Sequence, residues 1–245
     1  MAEKLQIIGM YQFKQKRYVY IGFDGKWLNS YGNATEGFVA IFWGDSGSGK
    51  TEAAVQLAKY LSGKGNVLYL SWEQKDRSTI WTAFERNGLL DMNKKVFLSP
   101  GGTIESVIDY LKKKKSPKYV FMDSIDFSKW SIEDFERLRT MFPKKNLIIV
   151  AHGKGALPKR ALAAEIMFDA DMKCHVKKGV VFLETRFKQG GEPFIVHQEK
   201  AKLWHPYLFI EAEAAPKRVK KMKVLPPKNI EVAVEVEEVI DEQLN

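Results

Sequence analysis

Residues 44–51 read Gly-Asp-Ser-Gly-Ser-Gly-Lys-Thr, the complete GxxxxGK[ST] pattern of a loop that cradles polyphosphate. Gly44, Gly47 and Gly49 let the chain take positive φ angles and bring main-chain amides close to an anion. Asp45, Ser46 and Ser48 fill the loop between them, Glu52 follows it in what must be the first turn of a helix, and all four are candidate nucleotide-binding residues with the glycines. The unpaired amides of that turn add to the anion site. In such a loop Lys50 reaches the β- and γ-phosphates of a nucleotide, and the Thr51 hydroxyl ligates Mg²⁺. A second acid is needed for the metal. The stretch 119–123, Tyr-Val-Phe-Met-Asp, is an apolar strand ending in a carboxylate, so Asp123 would accept hydrogen bonds from the water shell of the ion. Asp123 followed by Ser124 also suits a helix cap, and both readings stand at this point. Hydrolysis needs a group that orients or deprotonates water. Glu73 follows the apolar run 67–71 and is the first candidate, with Asp76 and Asp126 as competitors and a plain surface glutamate as the alternative.

These side chains need a scaffold that brings several strand ends together. The run 38–43 is continuously apolar, as a strand buried on both faces is. Ala54, Leu57, Ala58 and Leu61 then recur at helical spacing, with Gly63 as a stop. Further strands are expected at 67–71, 96–98, 119–122 and 147–150, with helices at 78–86, 104–111 and from Ser131 to Pro143. Ser131 with Asp134 forms a capping-box pair. Strands alternating with helices give an α/β fold with a mostly parallel central sheet flanked by helices. Later strands at 180–187, 194–197 and 207–210 imply antiparallel strands at one edge. The segment 1–35 reads as an aromatic hairpin packed on the core, because Asp24-Gly25 lies between alternating aromatic residues. The body of the protein is then 36–213. The tail 214–245 is a basic block followed by an acidic one, and reads as a disordered appendage.

The 245 residues are 45% hydrophobic and 28% charged, which excludes a wholly disordered chain. A single cysteine, Cys174, excludes a disulfide-stapled fold and a thiolate zinc site. No apolar run approaches the roughly 20 residues needed to cross a bilayer, and no export pattern opens the chain, so a cytoplasmic protein is expected. The net charge of +9 favours polyanionic partners.

The loop at 44–51, the strand before Glu73, the strand ending at Asp123 and the strand 147–152 occur in the order of RecA-like P-loop ATPases. Over residues 36–196 the chain resembles the branch of that family containing RadA-type and DnaB-type proteins, without a zinc finger or accessory domain. The resemblance implies ATP and Mg²⁺ as ligands and Glu73 as the group that activates water. It implies His152, at the end of the next strand, as a sensor of the γ-phosphate. RadA-like members carry a Lys-Asn-Arg-Phe-Gly motif that works at a subunit interface; here the stretch reads Glu184-Thr185-Arg186-Phe187-Lys188. Arg186 and Phe187 fit and the flanking positions do not. Arg186 and Lys188, alternating along one strand face, are the candidates for fingers acting across an interface. The family further implies a homo-oligomer, a hexamer or a filament, and DNA as partner. Lys154, Lys159 and Arg160, the run 112–115 and the basic tail 217–228 are the candidate phosphate contacts. A nucleotide-switched adaptor protein is the first alternative function, and a P-loop kinase the second.

Overall fold

The computed structural model describes residues 5–210; the tail 214–245 lies outside them. In chain order the elements are α1 (Met10–Lys14), α2 (Gly25–Tyr31), β1 (Val39–Gly44), α3 (Lys50–Ser62), β2 (Val67–Ser71), α4 (Ser78–Arg86), β3 (Val96–Ser99) and α5 (Ile104–Leu111). There follow β4 (Tyr119–Asp123), α6 (Ile132–Met141), β5 (Asn146–Lys154), β6 (Leu157–Pro158), α7 (Ala161–Asp169), β7 (Met172–Lys177), β8 (Val180–Thr185), β9 (Phe194–Ile195) and α8 (Gln198–Trp204). The sheet runs β3-β2-β4-β5-β1-β7-β8-β9, with β6 paired to β5. All pairs from β3 to β7 are parallel, and β8 and β9 extend one edge antiparallel.

The unbroken apolar character of β1 follows from its place in the middle of two layers. Ala40 and Phe42 face α3, whose Ala54, Leu57, Ala58 and Leu61 are fully buried there. Val39, Ile41 and Trp43 face α5, α6 and α7 through Ile108, Phe135, Leu138 and Ile166. Successive strand side chains point to opposite faces, so a strand covered on both sides has no position left for a polar residue. The capping box of Ser131 and Asp134 forms at the start of α6. Among the described residues no helix is long and apolar enough to cross a membrane.

The register sets the site. Gly44 pairs with His152, Ser71 with Asp123, and Asp123 with Val150. The glycine loop, Asp123, Glu73 and His152 therefore leave the sheet along one edge, at the carboxyl ends of parallel strands, where open α/β sheets bind ligands.

Several expectations are corrected. The segment 10–35 is not a hairpin: it holds two short helices and a single bridge between Tyr20 and Thr35. Asp24-Gly25 opens a helix, because Phe23, Trp27 and Tyr31 recur every four residues and bury one face against Tyr60 and Phe194. That aromatic burial outweighs the local turn signal. Residues 207–210 form no strand; Pro206–Leu208 is a turn of 3₁₀ helix. The expected strand 194–197 is cut to Phe194–Ile195 by the start of α8. α7 and β7, the latter pairing with β1 beside the glycine loop, were not legible in the sequence.

Candidate active site

β1 feeds directly into the loop 44–51, and α3 begins at Lys50. Gly49, the residue before the helix, has φ 107°, a conformation that favours glycine. Gly44 is needed for another reason: a Cβ there would stand 2.2 Å from the Val176 carbonyl oxygen of β7. The loop lines a cleft of about 360 Å³ together with Glu52, Glu73, Gln74, Arg86, His152, His197 and Lys200. Lys50 is buried, and its Nζ donates to the Asp45 carbonyl oxygen at 2.8 Å. Burial lowers its pKa, against the pull of Asp123, Glu73, Asp126 and Asp45. The four acids offset part of the cost of burying this ammonium beside the cleft.

Asp123 is buried at the end of β4, and one carboxylate oxygen accepts from the Tyr69 hydroxyl at 2.7 Å. Its other oxygen, Oδ1, is buried without a partner. An orphaned carboxylate oxygen is the donor type that a hydrated Mg²⁺ takes, and the Thr51 hydroxyl favours the same carboxyl's charged form. Thr51 and Asp123 thus fit the metal role expected of them. Gln74 Nε2 lies 3.5 Å from Thr51 Oγ1.

Burial pushes the Asp123 carboxyl up to about 6 from 3.8, and neighbouring Glu73 adds to the rise. In the metal-free protein this is a cost with a definite pH window. Below about pH 4 the group is protonated in folded and unfolded chains alike and contributes nothing. Between about pH 4 and 6 the unfolded chain has lost the proton while the folded one keeps it, so stability falls as pH rises. Above about pH 6 the penalty is complete. Asp123→Asn is therefore expected to raise metal-free stability by about 1–2 kcal/mol at pH 8, with the gain vanishing near pH 4. Urea unfolding in EDTA at both pH values measures it, and equal stabilities at pH 8 would remove the burial penalty.

Glu73 lies just beyond β2, and its Oε2 meets His152 Nε2 at 3.1 Å. The two residues singled out for water activation and phosphate sensing are thus in contact at the cleft. Asp126, a competitor for the base, is already used: its Oδ2 accepts from the His152 amide at 2.6 Å and the Ser124 hydroxyl at 2.7 Å. Asp76 does not line the cleft. The ring of His152 also meets the exposed ring of Phe127 edge-on, centroids 5.7 Å apart. Trp72, one residue before Glu73, packs edge-on against Trp130 at 5.2 Å, and both indole N–H groups donate to the Gly102 carbonyl oxygen.

Other expected residues have different surroundings. Glu52 points to the α4 end, where Arg86 binds it through two nitrogens and Asn87 donates to it at 2.7 Å. Hydrogen bonds from Arg86 and Asn87 lower its pKa against the opposing effect of burial. Arg160 is not a surface phosphate contact. Its guanidinium donates to the carbonyl oxygens of Ile125 at 2.7 Å, Ser128 at 2.8 Å and Trp130 at 2.6 Å, tying down the loop after β4. Lys154 and Lys159 are exposed, in and just after the small β5–β6 hairpin.

Arg186 and Lys188 do not alternate along a strand, since β8 ends at Thr185. Thr185 pairs with Met172, and Met172 with Ala40, so both residues sit at the sheet edge opposite the glycine loop. Arg186 contacts Asp169 and Asp171, and Lys188 donates to the Asn29 carbonyl oxygen. They lie away from this chain's own loop. Gln74, Arg86, His197 and Lys200 are cleft residues that the sequence did not reveal. His197 caps α8 and Lys200 lies within it, and that short helix carries a single fully buried residue, Ala201, and hence little helical pattern.

No family profile and no curated protein sequence matches the chain. Among solved structures it is similar to a KaiC-like protein from the hyperthermophilic archaeon Pyrococcus horikoshii, at a TM-score of 0.52 and 17% sequence identity. The match covers 73% of this chain and 94% of that one. At this identity the likeness is one of fold. It agrees with the mostly parallel sheet and antiparallel edge described above: the chain has the α/β, RecA-like P-loop fold.

Proposed function

We propose that this chain binds ATP with Mg²⁺ at the loop 44–51 and hydrolyses it, as a RecA-like ATPase of the RadA/DnaB type acting on DNA. The observation that carries the reading is the contact of Glu73 with His152 beside the glycine loop, on the same sheet edge as the buried Asp123. The loop amides and Lys50 bind the phosphates, Lys50 leaving the Asp45 carbonyl for a stronger anionic partner. Thr51 and Asp123 would hold the metal, which would supply charge neutralisation at the phosphates. Glu73 takes the proton of the attacking water. His152, held from its main chain by Asp126, keeps that carboxylate oriented and faces the γ-phosphate. Phosphate release from ATP and from GTP, with Mg²⁺ and with EDTA, tests the reading. Magnesium-dependent turnover is expected, and a purified folded chain that neither binds nor cleaves either nucleotide would overturn it.

The DNA part draws support from charge placement. The loops entering β3, β4 and β5 carry Lys94, Lys95, Lys113, Lys114, Lys115 and Lys144, exposed and without an ion pair among the described residues. Neighbouring Lys64, Lys112 and Lys118 already pair with Asp24, Asp109 and Glu36. Phosphate contacts by lysines make affinity fall with salt, by a log–log slope of about 0.9 per duplex phosphate neutralised. Replacing Lys114, Lys115 and Lys144 together by alanine is expected to flatten that slope by about 2–3, measured by fluorescence anisotropy with labelled duplex and single-stranded DNA. An unchanged slope would move the contact to the hairpin lysines Lys154 and Lys159 or to the tail. Arg186 and Lys188 could serve only a neighbouring copy's nucleotide, which accords with a hexamer or filament.

One observation favours the second reading, a nucleotide-switched adaptor. Phe127 is exposed yet packs on His152, so a protein partner covering Phe127 would touch the residue that faces the γ-phosphate. Assembly driven by a non-hydrolysable ATP analogue without DNA distinguishes the two.

A further inference from the structure

We infer that Lys200 is a second phosphate-binding lysine of the glycine loop, supplied by the same chain from α8. The inference rests on the reading of 44–51 as a nucleotide site. Lys50, buried, and Lys200, exposed, each rest an ammonium on a main-chain carbonyl of the loop. The first donates to the carbonyl oxygen of Asp45 at 2.8 Å, the second to that of Gly47 at 3.1 Å. Two ammonium groups thus rest on neutral acceptors of one loop, two residues apart. A phosphate oxygen is a stronger acceptor than a carbonyl for a charged donor, so a bound polyphosphate draws both away.

The obvious competing role for Lys200 is to staple α8 to the loop, and the main chain already does this. The Gly179 amide donates to the Ser48 carbonyl oxygen at 2.9 Å, while the Gly179 carbonyl oxygen accepts from Val196 at 2.8 Å and His197 at 3.0 Å. Gln56 Nε2 donates to the Val196 carbonyl oxygen at 3.2 Å, and His197 Nδ1 caps α8 by accepting from the Lys200 amide at 3.3 Å. Close packing reinforces the clamp: a Cβ on Gly179 would lie 2.9 Å from the His197 carbonyl oxygen and 3.1 Å from Lys200 Cβ. The stem of Lys200 is therefore held in place by contacts that do not involve its ammonium, and the ammonium is left to move. The other added cation of the cleft, Arg86, is committed to Glu52. Lys200 has no carboxylate partner among the described residues.

Calorimetric titration of the full chain with MgATP and with inorganic tripolyphosphate tests this, comparing wild type, Lys200→Ala and Lys200→Arg. One charged hydrogen bond corresponds to roughly a 10–100-fold change in affinity. The alanine variant is expected to lose that factor equally for both ligands, since the base plays no part. The arginine variant is expected to recover most of it. In turnover, KM for ATP rises in Lys200→Ala while kcat changes less than it does on loss of Glu73. Unchanged affinity in Lys200→Ala overturns the inference. So does a loss accompanied by a lower melting temperature without ligand, which marks a staple. A wild-type chain that binds neither ligand defeats the nucleotide reading itself, and this inference with it.

Discussion

Glu73→Gln is expected to bind MgATP with near wild-type affinity and to hydrolyse it about 10²- to 10⁴-fold more slowly, the range a positioned general base contributes. The substitution keeps the shape of the side chain and an oxygen able to accept from His152 Nε2, now 3.1 Å from Glu73 Oε2. What it removes is the ability to take a proton from water. Binding should survive because the phosphates are held by the loop amides and Lys50, whose ammonium rests on the loop's own Asp45 carbonyl and makes no hydrogen bond to Glu73. Single-turnover phosphate release, read beside equilibrium binding of a fluorescent ATP analogue, separates the two quantities. Retained wild-type turnover takes Glu73 out of the chemistry, and with Asp126 already bound to His152 and Ser124, the water would have to be activated by a residue outside this constellation.

Gly153→Ala should damage folding and nucleotide binding together. Gly153 follows His152 on β5 and lies against the first residue of the glycine loop. A methyl group there would come within 2.7 Å of Gly44 Cα, 2.8 Å of its carbonyl carbon and 2.9 Å of its nitrogen. All three are backbone atoms, so no side chain can rotate aside. β5 cannot slide away either, being hydrogen-bonded to β4, β1 and β6. Overpacking of this kind costs about 1–3 kcal/mol and sometimes more; with backbone on both sides, about 3 kcal/mol is expected. The strain falls on the loop entrance, so MgATP affinity should drop at least tenfold. Gly155, with open space around its Cβ position, is the matched control: alanine there meets only the backbone cost of its φ of 64°. Urea unfolding and nucleotide titration of both variants check this, and equal behaviour of the two would show that β5 has room to yield.

The parts of the site built on continuous strands were legible. Residues 44–51, Glu73, Asp123 and His152 each follow an apolar run, and a parallel sheet places the ends of such runs along one edge. The misplaced parts share a different cause. Asp24-Gly25 carries a hairpin signal, yet Phe23, Trp27 and Tyr31 are spaced for a helix face, and only the presence of Tyr60 and Phe194 decides between the two. α8 was invisible because it buries so little, and with it went His197 and Lys200. The surroundings of Arg160 and Arg186 could not be read at all, since a guanidinium folded back onto carbonyls or paired with Asp169 and Asp171 looks the same in sequence as one facing solvent. Periodicity reports burial of elements; it says nothing about where long charged side chains end up.

The indole pair of Trp72 and Trp130, tied to the Gly102 carbonyl, has a practical outcome. Trp72 is covalently next to Glu73, and indole emission responds to nearby charge and to the state of its N–H partner. Loading the cleft with a polyanion changes the charge around Glu73, so the intrinsic fluorescence of the untouched protein should shift as the site fills. The molecule would then carry its own optical gauge of occupancy, usable in a stopped-flow instrument without any attached dye.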